Sequence, residues 1–99
     1  MRDAQAPPYH VTVAAPGLRW RMPTALRIEA YRFFFYAGDA RERMHIHVRR
    51  NRKEAKFWLE PICLARNCGF SAHELNRIEH LAARHAQTVM DAWHDYFGP

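Results

Sequence analysis

The sequence predicts an α+β protein: a four-stranded antiparallel meander covered on one face by a short helix and a long C-terminal helix. Three observations predict it. Apolar residues alternate with polar ones in four short segments between residues 24 and 59, short links join those segments, and one long amphipathic repeat follows Ser71. With 99 residues, 48% of them apolar and 13% aromatic, the chain holds enough material for one compact core.

Residues 1–21 carry three prolines and a glycine, and only 10–13 show a short β-like pattern, so they read as an N-terminal extension. Met22 opens a denser segment and is a candidate start, and residues 22–99 read as a single α+β domain. In the first strand Leu26 and Ile28 alternate with Arg27 and Glu29 before a turn at Ala30 and Tyr31. Residues 32–37 form the second strand, and Gly38, Asp39 and a charged loop lead to the third, 45–50. After a turn at 51–53 the fourth strand runs over 54–59, and Pro61, which has no amide for a ladder, stops the pairing. A short helix-to-loop segment containing Cys63 and Cys68 follows.

Ser71-Ala72-His73-Glu74 is a capping box, with Phe70 and Leu75 placed as a hydrophobic staple. Leu75, Ile78, Ala82, His85, Val89, Ala92 and Tyr96 then recur at helical spacing, Leu81 and Trp93 widen the stripe, and Gly98 ends it. A straight helix of about 26 residues spans roughly 39 Å, longer than such a sheet is wide. One end should overhang, and the overhang with Val89, Trp93, Tyr96 and Phe97 is a candidate homodimer or partner surface, unless residues 1–21 fold back over it.

The net charge of +5 is unevenly distributed. Residues 19–56 hold eleven Lys and Arg against four Asp and Glu, whereas 57–99 hold three against five. A positive segment of this kind attracts phosphates or an acidic protein, although a solvated surface accounts for it equally simply. No apolar run approaches the roughly 20 residues of a membrane span, and no basic start followed by an apolar core marks secretion. A cytoplasmic location is therefore expected. Two cysteines exclude a disulfide framework and a four-cysteine zinc site, and they read as small packing residues. P-loop, serine-elbow and HExxH motifs do not occur.

Alternation assigns Leu26, Ile28, Phe33, Phe35, Ile46, Val48, Ala55, Phe57 and Leu59 to a core face. The opposite face collects Arg27, Arg32, Phe34, Tyr36, His45, His47, Arg49, Lys56 and Trp58. His45 and His47 leave the same side of one strand. As an acid–base pair they could cleave RNA without metal, one taking the 2′-hydroxyl proton and the other protonating the leaving oxygen, with Arg49, Arg32 or Lys56 on the phosphate. Phe34, Tyr36 and Trp58 would then be stacking platforms. As metal ligands they supply two donors where zinc needs three or four, the other donors are distant or wrongly typed, and neither a metal nor another cofactor is assigned. The plainest reading has both imidazoles bonding across strands while Phe34 and Trp58 bury. His85 reads as a core residue, and His73, His80 and His94 as solvated ones.

In the stretches PTALRIEAYRFFFYAGD, HIHVRRNRKEAKFWLEPICLARNCGFSAHELNRIEHL and AWHDYFG the chain resembles the bacterial domain of unknown function 4160 family. The resemblance runs from residue 22 to 98, and Arg43 and Met44 stand where relatives usually carry one or two prolines. It implies a small α+β protein often encoded beside a partner of the domain of unknown function 2442 family, an arrangement similar to toxin–antitoxin pairs. It implies no catalytic residue. The resulting expectation is a toxin–antitoxin-like interaction protein whose basic, aromatic sheet face engages RNA or an acidic cognate partner. The alternatives are a metal-independent ribonuclease built on His45 and His47, and a non-catalytic regulatory module.

Overall fold

A computed structural model describes residues 11–13 and 24–99. Six strands form one antiparallel sheet in sequence order: β1 (Val11–Val13), β2 (Thr24–Ile28), β3 (Tyr31–Phe34), β4 (His45–Arg50), β5 (Lys53–Leu59) and β6 (Ile62–Cys68). Two helices follow, α1 (Ala72–Arg84) and α2 (Ala86–Phe97). The α+β class and the meander are as expected. The strand count is not: five strands lie between residues 24 and 68 instead of four, and β1 adds a sixth at the edge. Apart from 11–13, the expected extension over residues 1–21 lies outside the described residues.

Three two-residue turns hold the meander in step. Ile28 pairs with Tyr31, Arg50 with Lys53, and Leu59 with Ile62. Glu29 and Asn51 open their turns at φ 56°, the left-handed conformation that matches hairpin turns to strand twist. Pro61 does not end the sheet. It occupies a turn position, where its missing amide removes no ladder bond, and β6 pairs immediately after it.

The strand β6 replaces the short helix expected there. It is an edge strand with six of its seven residues exposed, so it carries no alternation of apolar and polar residues to reveal it. A bulge adds to this: Lys56 faces Arg66 but Phe57 faces Leu64, leaving Ala65 as the extra residue and shifting the phase. Cys63 and Cys68 are consequently exposed free thiols, not packing residues.

All nine residues assigned to the core face are buried, Leu26, Ile28, Phe33, Ile46, Val48 and Phe57 completely. Ile78, Ala82 and Val89 cover them from the helices. The long helix is two. At His85 (φ −107°, ψ 19°) the α-helical path breaks, and helices of 13 and 12 residues, each about 20 Å long, fit the sheet. Helix α1 packs toward β6 and α2 toward β2. The overhang of a straight helix is therefore not formed: Val89 and Trp93 are buried, and Phe97 rests on Trp93 and Phe35 with centroids 4.5 and 5.8 Å away. No Gly or Pro marks the break, which is why periodicity runs through it. Among the described residues no helix is long and apolar enough to cross a membrane.

The capping box is half formed. The Ser71 hydroxyl accepts from the Glu74 amide at 3.1 Å, but the Glu74 carboxylate turns to the sheet. There it accepts from the Tyr31 hydroxyl at 2.8 Å and pairs with Arg50 and Lys53, tying the start of α1 to β3, β4 and β5. The Tyr31 hydrogen bond, then Arg50 and Lys53, hold the Glu74 carboxyl below its usual range. A depressed carboxyl stabilises the fold above its unfolded value, about 4.3, and that contribution fades as pH falls through the lower folded value. The Glu74→Gln variant should therefore show a shallower loss of melting temperature below pH 5 than the wild type, measured by circular dichroism. Parallel pH curves would contradict this role.

Candidate functional site

The register arranges the outer sheet face, opposite the helices, in transverse rows. Arg27, Arg32, Arg49 and Glu54 stand side by side across β2 to β5. The next row runs Thr24, Phe34, His47, Lys56 and Arg66, and beyond it His45 lies opposite Trp58. The sequence-predicted residues are thus brought together as expected. They do not form an open surface, because His45 and Phe34 are fully buried and His47 is 3% exposed. Arg32, Tyr36, Arg49, Lys56 and Trp58 are half-buried, and Arg27 is exposed.

What buries the histidines is the link between β3 and β4. The Asp39 amide donates to the Tyr36 carbonyl at 3.0 Å, and the Tyr36 amide donates back to Asp39 Oδ2 at 2.8 Å. This reciprocal pair and a 3-10 turn at Asp39–Arg41 fold the link over the sheet. The carboxylate then sits between two rings: Asp39 Oδ2 lies 3.0 Å from His47 Nε2, and Oδ1 lies 3.1 Å from His45 Nε2. The other nitrogen of His45, Nδ1, donates to the Arg43 carbonyl at 2.8 Å. His47 Nδ1 faces Glu54 Oε2 at 3.7 Å, outside hydrogen-bond distance. Burial is the main influence on His47 and pushes its pKa down, against the opposing pull of Asp39.

Asp39 is the member that sequence reasoning missed. A loop residue has no periodicity, and its only signal was its place beside Gly38 in the link leading to the two histidines. With it, a carboxylate and two imidazoles place donor atoms within 4.8 Å of one another. The third donor that spacing along one strand could not supply arrives from the loop.

Aromatic rings and cations complete the face. Tyr36 meets His47 edge-on at 4.5 Å, Phe34 packs at 5.1 and 5.5 Å from Tyr36 and His47, and Trp93 of α2 lies 5.4 Å from His45. Arg32 and Arg49 lie 4.6 and 5.8 Å from the Phe34 centroid, and Arg43 and Lys56 lie 4.3 and 4.7 Å from that of Trp58. Glu54 accepts from both the Tyr36 hydroxyl at 2.9 Å and Arg49 at 2.8 Å. Burial raises the Tyr36 pKa first, and the bond to Glu54 raises it further. Burial likewise lowers that of Arg32, with Arg27 and Arg49 adding to the effect.

A family model described as Domain of unknown function (DUF4160) matches residues 30–94. Comparisons with curated proteins and with solved structures gave no match.

Because Asp39 serves His47 directly, their removals should not be independent. In a double-mutant cycle by urea denaturation, Asp39→Ala and His47→Ala should couple by about 0.5–3 kcal/mol, as contacting members of one network do. Additivity within about 0.3 kcal/mol would remove Asp39 from the network.

Proposed function

The chain belongs to the domain of unknown function 4160 family, and for it we propose the function of a non-catalytic module that binds an acidic protein partner through the basic outer face of its sheet. The observation that carries this reading is the row Arg27, Arg32 and Arg49 on three adjacent strands. Neighbouring strands are about 4.8 Å apart, so three guanidinium groups emerge within roughly 10 Å. Like charges directly opposite one another destabilise a sheet. Within the row Arg49 pairs with Glu54 and Arg32 donates to the Thr24 hydroxyl, each at 2.8 Å, and a carboxylate-bearing surface would add acceptors for the planar, forked donors of arginine. Arg52 and Arg66 extend the positive character beside a depression shared with Glu54 and Cys68.

Carboxylates fit this face better than RNA bases do. Base stacking needs open ring faces, whereas Phe34 is fully buried and Trp58 has two cations against its ring. Burial also supports a non-catalytic role for His45 and His47. A general base must come within about 3 Å of the proton it takes, and both side chains are at least 96% covered. The partner we propose is a cognate, antitoxin-like protein of the domain of unknown function 2442 family, in a cytoplasmic toxin–antitoxin-like pair.

Titration calorimetry against such a partner encoded beside this protein, alongside labelled single-stranded RNA in chelator, tests the proposal. Partner binding should weaken with added salt and fall by about tenfold or more in the Arg27→Glu/Arg49→Glu variant, while its circular dichroism is unchanged. Equal affinity in that variant, RNA binding without partner binding, or RNA cleavage abolished by His45→Ala would overturn it.

A further inference from the structure

We propose that Asp39, His45 and His47 form a binding site for one divalent transition-metal ion of the zinc class, held by Asp39 Oδ1, His45 Nε2 and His47 Nε2. The argument starts from the two ring nitrogens that lack hydrogen-bond partners although they are buried. These are His45 Nε2 and His47 Nδ1. Buried polar atoms are nearly always satisfied, and an unsatisfied pair in one cluster calls for an explanation, an ion among them.

The bonds that do exist narrow the explanation. A carbonyl oxygen only accepts, so the 2.8 Å contact with Arg43 fixes the proton of His45 on Nδ1. In the neutral ring Nε2 is then a lone pair, and it points at a carboxylate oxygen 3.1 Å away, acceptor facing acceptor. His47 has the complementary mismatch. While its Nε2 donates to Asp39, its Nδ1 is a lone pair facing Glu54. Extra protons on both rings would place two cations with centroids only 5.0 Å apart in a buried cluster.

One dication resolves both mismatches together. It takes the lone pairs of both Nε2 atoms, His45 keeps its Nδ1 proton on the Arg43 carbonyl, and His47 carries its proton on Nδ1 toward Glu54. Metal-bound histidines characteristically donate their second nitrogen to a carbonyl or carboxylate, as His45 does to Arg43; His47 has Glu54 at 3.7 Å and has to close that gap to do the same. Asp39 is prepared as well: Oδ2 is held by the Tyr36 amide, leaving Oδ1 as the ligand atom. Tetrahedral zinc with bonds near 2.0–2.1 Å separates its ligand atoms by about 3.3 Å. The 3.1 Å contact between Asp39 Oδ1 and His45 Nε2 needs to open by only a few tenths of an ångström, and the donor atoms of all three residues lie within 4.8 Å of one another. Two imidazoles and one carboxylate suit zinc, cobalt, nickel or iron over calcium and magnesium. The Asp39 side chain, 12% exposed, leaves a route for the ion and for water in a fourth position.

The test uses the full chain carrying Cys63→Ser and Cys68→Ser, so that exposed thiols do not compete. Protein freed of metal in chelator and then dialysed should take up one Co²⁺ per chain, with the intense visible absorption of four-coordinate cobalt. Zn²⁺ should displace the cobalt and raise the melting temperature. Asp39→Asn, which preserves side-chain size, should weaken uptake by more than about a hundredfold, the upper end of the effect of removing an outer partner. Nitrogen-15 spectra of the histidine rings provide a second readout that needs no ligand variant: Zn²⁺ should shift His45 and His47 and leave His73 and His80 in place. Failure to bind one equivalent, undiminished uptake in Asp39→Asn, or shifts confined to the other histidines would overturn the proposal.

Discussion

The cross-strand register of β3, β4 and β5 governs everything else in this protein. Once Phe33, Val48 and Ala55 are committed to the helix side, Phe34, His47 and Lys56 must emerge on the other, because an unbulged strand alternates its side chains. A slip of one residue would place two imidazoles under α1 and two aliphatic side chains in their place outside. The two-residue turns prevent the slip from both ends. The fold therefore has to accommodate two buried histidines on its outer face, packed against Trp93 and Phe34.

Asp39 is how that requirement is met. Its carboxylate is bonded to the Tyr36 amide and set against both rings. The link between β3 and β4 is consequently part of the structure of the face, and not merely a connection. Around this ring-filled centre the arginines stand at the margin, with the guanidinium groups of Arg32 and Arg43 over the rings of Phe34 and Trp58. The same face thus combines a buried Asp39–His45–His47 centre with a border of half-buried and exposed cations.

Much of this was legible in the sequence because the relevant signals are periodic. Leu26 and Ile28, Ile46 and Val48, and Phe57 and Leu59 declare their buried face by alternation alone, and Ser71 declares the start of α1. The features that were not legible have no period. β6 has no buried face to repeat, and its bulge at Ala65 breaks what pattern there is. The break at His85 has no Gly or Pro to mark it. Within the site, the sequence placed His45 and His47 together but not their depth, because depth depends on a loop folding back through one aspartate. The aromatic residues were likewise placed on the correct face, while the cations that occupy their surfaces became visible only with the register known.

The most direct measurement of the central claim is a set of proton–proton nuclear Overhauser contacts from the His47 ring. The register described here requires strong contacts to the rings of Phe34 and Tyr36 and none to Ile78 or Leu81 on α1. Contacts from His47 to those helix residues would place the imidazole on the opposite side of the sheet and contradict the account.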